Sequence, residues 1–376
     1  MKKNYISALA VLACVAVFCT ISGNSFHQMR TATEEIIPGE GVTEVRMLSD
    51  YFLDLAGTAG DTQIYVLQGE QEGGSCLILG GTHANELGGH MGAVLFVENA
   101  KVEAGTLYVI PRTNNSAFTH NDPQEGHPST VHITTDEGNV REFIHGSRAT
   151  NPVDQWPDPD VYVNYMGQSL SGSENRNINR TYPGKADGTL TEMMSYGIVQ
   201  LINTENIDVT VDLHEASPEY PVINALIAHE RAMNLASNVV VDMQMEGVQI
   251  SLEPSPTDLR GLTHRELGDH TDTLALLMEA PNPAQGRLRD RTDEALVLTG
   301  KSETYVKAGE IGQLYVPYDE NGWPIEVRCA RHVFGIERIL ANYSEMYEEP
   351  IIVTGMPSYD ELVKNGMGPY LNEPTT

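Results

Sequence analysis

The chain has 376 residues, room for one large α/β domain or two small ones, and 40% of them are hydrophobic, enough for a sizeable core. Its formal net charge is −29, a surface that repels phosphate backbones, so no nucleic-acid partner is expected. The acidity itself reads as a solubility device and does not define a substrate.

Lys2 and Lys3 precede an apolar run from Tyr5 to Ile21, which is followed by Ser22, Gly23, Asn24 and Ser25. A basic start, an apolar stretch and small residues make 1–25 a signal peptide, or an N-terminal anchor if it is not cut. The expectation is an exported protein, secreted or held at the cell envelope, that meets a membrane only through this segment. No later stretch is long and apolar enough to cross a membrane. Cys14 and Cys19 belong to this segment, and the scattered Cys76 and Cys329 read as buried thiols rather than a disulfide framework.

Residues 26–47 are polar and mixed, and read as a linker. The catalytic domain is expected over 48–348. Thr62 to Gln68 and Ser75 to Leu79 read as strands, Glu86 to Asn99 as a helix and Thr106 to Ile110 as the next strand. Periodicity then fails over 113–174, a stretch rich in Asn, Asp, Pro, Ser, Gly and His, expected to form a long excursion beside the active site. Regularity returns with a helix at Leu190 to Asn203 and a buried strand at Asp208 to Leu213. Further strands are expected at Val222 to Ala228 and Thr273 to Met278, with helices at His229 to Met245, Thr257 to Leu267, Asp293 to Ala308 and His332 to Tyr347. The tail, 349–376, wraps the domain or frays. Alternating strands and helices predict an α/β fold with a mostly parallel or mixed central sheet, helices on both faces, and ligands beyond the carboxyl ends of the strands.

Four short segments carry chemistry. Gly80-Gly81-Thr82-His83-Ala84-Asn85-Glu86 follows a strand directly, so His83 and Glu86 can turn toward one point above the sheet. His214 ends the most apolar strand, where it can serve as a third ligand, and Asp212 shares its side-chain parity. Two histidines and one glutamate with an open fourth position describe a catalytic rather than a structural zinc. Arg176 and Arg180, with Asn179 between them before a Pro-Gly turn, offer fork-shaped donors suited to a carboxylate and a scissile carbonyl. Glu279 closes another apolar strand, where a carboxylate is costly unless solvated, paired or near a metal.

GGTHANELGG, RNINRTYPG, VDLHEAS and LMEAP together resemble the motif series of the succinylglutamate desuccinylase/aspartoacylase family, a branch of the zinc carboxypeptidase superfamily. The segment from Ile110 to Phe118 is similar to the one after the third strand in that group. The resemblance implies a zinc-carboxypeptidase-like fold with one zinc per chain on His83, Glu86 and His214. It further implies that Asn179 and Arg180 grip a substrate carboxylate, that Arg176 stabilises the tetrahedral oxyanion, and that Glu279 is the general base. The excursion before Arg176 is longer than the resemblance leads one to expect, and DLHEASPEYP lacks the polar run usual after this histidine in aspartoacylases.

The expected activity is zinc-dependent cleavage of amide bonds in small N-acyl amino acids or short peptides bearing a free carboxylate. The alternative is a secreted metallocarboxypeptidase acting on peptides or cell-wall stem peptides; a third reading is a non-catalytic binding protein. Tyr182, Tyr220 and Tyr305 are open candidates for an assisting tyrosine. His120, His127, His132 and His145 are too irregularly spaced for a second metal cage, and His264 and His270 read as surface residues. Glu215 and Glu219 read as solvated acids, with selection of a cationic substrate as the alternative.

Overall fold

The computed structural model describes residues 2–121 and 127–374. The apolar start forms one helix, α1 (Lys2–Thr31), with side chains such as Leu9, Phe18 and Ile21 exposed. It is long and apolar enough to cross a membrane. The helix extends ten residues beyond Ile21, and Arg30 pairs with Asp154 of the domain at 2.7 Å.

The residues after α1, read as a linker, are instead a strap bound to the domain. The Glu34 carboxylate is buried, with Oε1 2.5 Å from His90 Nε2 and Oε2 accepting from the Ile144 N–H at 2.7 Å. The Ile37 N–H donates to Glu98 Oε1, and the Gly39 N–H to the Val97 carbonyl. These partners lie 56 to 110 residues away in sequence, where local composition carries no trace of them.

The domain opens with β1 (Glu44–Met47), β2 (Gln63–Gln68), β3 (Gln71–Leu79), α2 (Leu87–Asn99) and β4 (Lys101–Ile110). The excursion holds two small hairpins, β5 (Thr130–Thr134) with β6 (Val140–Ile144), and β7 (Val161–Val163) with β8 (Ser169–Ser171). Next come α3 (Leu190–Glu205), β9 (Val209–Ala216), β10 (Ala225–Ala228), α4 (Met233–Met245), β11 (Ser251–Pro254), α5 (Thr263–His270) and β12 (Leu274–Pro281). The chain closes with α6 (Glu294–Thr299), α7 (Glu303–Glu310), α8 (Ile325–Tyr347), β13 (Ile352–Thr354) and α9 (Tyr359–Asn365).

The sheet order is β1-β2-β4-β3-β9-β12-β10-β11, with β13 pairing β4. The central β4, β3, β9 and β12 run parallel, while β10 is antiparallel to β12 and β2 to β4, which gives the mixed sheet that was expected. Alternating side chains feed two cores. Cys76, Ile78, Val209, Val211 and Leu213 pack with α2, α4 and α8 on one face; Leu77 and Leu79 pack with Met194 and Ile198 of α3 on the other. Each such aliphatic side chain, fully buried, contributes about 1.5–3 kcal/mol. Three glycines weaken α2 as a helix, but they let it lie close to β9. A Cβ on Gly89 would come within 2.4 Å of the Leu213 carbonyl oxygen. The tail wraps the domain, with β13 on β4 and α9 packed on α8. Cys76 and Cys329 are buried free thiols.

His332 of α8 is fully buried, and neither ring nitrogen has a hydrogen-bond partner among the described residues. Burial, helped by Arg331, pushes its pKa down to about 3. The unfolded chain therefore binds a proton that the folded chain refuses between the ordinary value of about 6.5 and about 3. The stability this residue contributes is complete above pH 6.5 and is lost as pH falls, by up to about 1.4 kcal/mol per pH unit. Thermal melts from pH 8 to 4 should show a shallower acid loss for His332→Leu than for the parent. Parallel curves would remove His332 as a cause of acid lability.

Candidate active site

The site forms where β3, β9 and β12 end. After Leu79 the chain turns through Gly81, whose φ is +60° and where a Cβ would meet the Pro111 carbonyl oxygen at 2.5 Å. That turn carries His83 and Glu86 over the sheet edge just before α2 begins. On β9, Thr210, Asp212 and His214 share the face opposite Val211 and Leu213. Strand register places Glu279 directly beside His214, and Leu277 beside Asp212.

His83, Glu86 and His214 are each about 1% exposed and offer ligand atoms that all lie within 4.8 Å of one another. His83 Nδ1 is 2.7 Å from Glu86 Oε1, and His214 Nδ1 is 2.9 Å from Glu86 Oε2. The far nitrogen of each ring is bound to an acceptor: His83 Nε2 to Asn177 Oδ1 at 2.9 Å, and His214 Nε2 to Asp212 Oδ2 at 2.8 Å. Asn177 Oδ1 also accepts from the Asn179 N–H, which identifies that atom as the oxygen, and Asp212 Oδ1 accepts from the Thr82 hydroxyl. Both rings are thereby held with a proton on Nε2, and both Nδ1 atoms face the Glu86 carboxylate.

The electrostatics fit a cation at that point. Burial opposes a charge on Glu86, but His83 and His214 hold its pKa well below the usual carboxylate range. Burial likewise opposes a charge on His214, yet Asp212 and Glu86 hold its pKa well above the usual imidazole value. For His83, burial and the charge of Arg148 push the pKa down to about 4. A dication held between the three residues would do the work that the His214 proton otherwise does. Two imidazoles and a carboxylate are a donor set that zinc accepts.

Glu279 is half-buried in the cleft wall beside this cluster, and its buried Oε2 has no hydrogen-bond partner among the described residues. Burial pushes its pKa up to about 8, with His214 opposing and Glu86 adding to the rise. A dication at the cluster would act in the same sense as the His214 charge and lower it.

The arginines divide differently from the expectation. Arg180 and Asn179 line the cleft, Arg180 Nη1 donating to the Asn179 carbonyl at 2.6 Å and Asn179 Oδ1 accepting from Thr263. Arg176, expected to stabilise the oxyanion, is not part of the cleft lining. Its Nε and Nη2 bind both oxygens of Asp158 at 2.7 and 2.9 Å, and its Nη1 binds the Thr150 carbonyl. An acid 18 residues upstream has claimed the fork that RNINR offers. The second cation in the cleft, beside Arg180, is Arg148 from the excursion. Its Nη1 lies 3.4 Å from His83 Nδ1 and 3.5 Å from Glu86 Oε1. Sequence reading missed it, although Arg141 and Arg148 are the only basic residues other than histidine between 113 and 174, a signal that could have found it. Arg176 and Thr150 exchange backbone and side-chain hydrogen bonds, so Arg176 holds the backbone two residues from Arg148.

Of the three tyrosines, Tyr220 lines the cleft, whereas Tyr182 and Tyr305 are fully buried and the Tyr305 hydroxyl donates to the Gln285 carbonyl. Glu215 is no solvated acid: it is buried, bound to Arg328 Nη1 at 2.8 and 3.0 Å, and its N–H donates to Glu86 Oε2. His264, expected at the surface, is buried in the cleft wall with Nδ1 2.7 Å from Ser255 Oγ. His127 and His145 touch through their Nδ1 atoms at 3.1 Å, and exposed His132 sits between Glu142 and Glu294.

No family model matches the chain, and no curated protein does. Solved structures to which it is similar include a succinylglutamate desuccinylase from a Silicibacter species, with 17% identity over 61% of this chain and 56% of that one, at a TM-score of 0.38. A metallo-carboxypeptidase from Burkholderia cenocepacia matches at 12% identity over 86% of this chain and 67% of its own, with a TM-score of 0.46. A product-bound cell shape determinant protein from Helicobacter pylori matches at 13% identity over 80% and 59%, also at 0.46. The chain thus spans less than two thirds of the length of the desuccinylase and of the cell shape protein. Desuccinylases and metallo-carboxypeptidases both occur among the similar structures.

Proposed function

We propose that the chain is an exported, zinc-dependent hydrolase that cleaves amide bonds of small N-acyl amino acids or short peptides carrying a free carboxylate. One observation carries the reading: the Nδ1 atoms of His83 and His214 converge on Glu86 while the half-buried Glu279, its Oε2 without a hydrogen-bond partner among the described residues, stands beside them on the same sheet face. Zinc, when bound, supplies a Lewis acid that acidifies water and polarises a carbonyl. Glu279 takes the proton of the attacking water and delivers it to the leaving amine. The Arg148 guanidinium donates to the oxygen on which negative charge develops, where a pre-placed donor is worth most. Arg180 and Asn179 hold the substrate carboxylate. Asn177 and Asp212 fix the two imidazoles, and Arg176 fixes the loop that carries Arg148. Export rests on the length and hydropathy of α1.

A second reading, a carboxypeptidase acting on longer peptides, is favoured by the shape of the cleft. The catalytic cavity, about 400 Å³, adjoins a second one of about 870 Å³, and Ser217 and Tyr220 line both. A chain longer than a dipeptide can lie across that ridge.

Purified protein is expected to hold about one zinc per chain and to lose metal and activity together to a chelator, with Zn²⁺ restoring both. His83→Ala or His214→Ala should lose most of the metal, since each leaves two protein ligands. Full zinc content in either variant would overturn the ligand set. Turnover of N-acyl amino acids against dipeptides and tripeptides separates the two activities; zinc-loaded protein that cleaves neither would be a binding protein.

A further inference from the structure

The cleft continues past Arg180 across the sheet. Leu277 is paired in register with Asp212, Ile227 with Leu277, and Glu253 with Ile227, so the row runs from β9 through β12 and β10 to the edge strand β11. Residues directly opposite on neighbouring strands share a face, and Leu277, Ile227 and Glu253 all line the cleft, as do Leu259 and Leu262. Ile227 and Leu277 are buried, and with Ala225 they form a small apolar cluster of their own. The adjacent row on the same face holds His214, Glu279 and Ala225. With strands spaced about 4.7–4.9 Å apart, Glu253 stands two strands, about 10 Å, from the strand of the catalytic Glu279.

This side pocket has an apolar floor and one carboxylate at its far end. Among the described residues, none makes a hydrogen bond or an ion pair to the Glu253 side chain. The two acids that the sequence offers for selecting a cation are already engaged: Glu215 binds Arg328, and Glu219 Oε1 accepts from the Arg287 N–H. Arg260, the basic residue next after Glu253 in sequence, is bound to Glu266 and Asp269. An anionic side chain entering the pocket meets repulsion, and a neutral one leaves the carboxylate facing an apolar end, which is unfavourable. A straight apolar stem ending in a cation satisfies both parts. Four methylenes and an ammonium, added to the reach of the Glu253 side chain, span the distance.

We infer that Glu253 sets specificity for a leaving-amine residue with an ω-cationic side chain, lysine or a similar diamino acid. Its stem lies on Ile227 and Leu277, its cation on Glu253, and its α-carboxylate on Arg180 and Asn179. The inference rests on the hydrolase reading above. An N-acyl-lysine and a peptide ending in lysine present the same group, so the test includes both.

With purified full-length protein, kcat/KM is measured for N-acetyl-lysine against N-acetyl-norleucine, and for Ala-Lys against Ala-norleucine. In whichever series is cleaved, lysine should exceed norleucine by about 10- to 100-fold, the range of a charge-assisted hydrogen bond. E253Q should bring that ratio close to unity, and E253K should turn the preference toward glutamate at the same position; circular dichroism melts check that both variants fold. A parent enzyme that prefers norleucine, or a ratio unchanged in E253Q, overturns the assignment. If neither series is cleaved, the hydrolase reading fails on its own, and calorimetric titration of free L-lysine against L-norleucine still tests the pocket. There, tighter lysine binding that E253Q abolishes supports the role of Glu253, and equal or absent binding ends it.

Discussion

Glu279→Gln is expected to lower kcat by a factor on the order of 10²–10⁴ while leaving zinc content unchanged. The substitution keeps size and shape, so the neighbouring Ala280 and Met278 stay packed, but it removes a carboxylate that lines the cleft beside the cluster and can take a proton. Because Glu279 Oε2 has no hydrogen-bond partner among the described residues, no structural interaction is lost with the charge. The fall should therefore appear in turnover and not in thermal stability. Metal analysis and single-turnover kinetics on the same preparation check this. Unimpaired turnover in the glutamine variant would take the base out of the mechanism.

Arg148→Ala is expected to lower kcat by about 2.7–4 kcal/mol of transition-state stabilisation, the usual cost of losing an oxyanion donor. The half-exposed Arg148 side chain makes its contacts with His83 and Glu86, so removing it should leave the melting temperature nearly unchanged. Arg176→Ala should behave in the opposite way. It loses the two-point bond to Asp158 and the bond to the Thr150 carbonyl, which costs about 1–3 kcal/mol of stability and affects rate only through a looser Arg148 loop. Steady-state kinetics with melting curves on both variants separate the roles. A large kcat loss confined to Arg176→Ala would return the oxyanion to Arg176.

The parts of this site legible in the sequence are those tied to strand ends. His83, Glu86, His214 and Glu279 each sit where an apolar run stops, and parallel strands in one sheet bring their carboxyl ends together. Polar residues on the excursion carry no such constraint. Nothing in the spacing of RNINR reveals that Asp158 holds Arg176, or that a hairpin-bearing loop delivers Arg148 beside Glu86. Composition failed in a second way. Glu215 and His264 read as solvent residues because of their type, and Glu34 was lost in a polar linker, whereas their side chains are buried on partners, Arg328, Ser255 and His90 respectively. The short edge strands β1, β11 and β13 were missed because three or four residues do not establish a period. That omission concealed Glu253, which belongs to the site only because β11 pairs with β10.

The strap that follows α1 determines how far the domain can stray. Between the end of the helix at Thr31 and the buried Glu34 carboxylate lie only Ala32 and Thr33, three residue steps that reach about 10 Å even when extended. The ten helical residues after Ile21 add about 15 Å of stiff column, braced at its foot by Arg30 on Asp154. If α1 stays on the mature chain and sits in a bilayer, the cleft is mounted at one height and faces one way, like a tool on a post. Such an enzyme works a thin layer above the lipid and depends on its substrates to reach that layer.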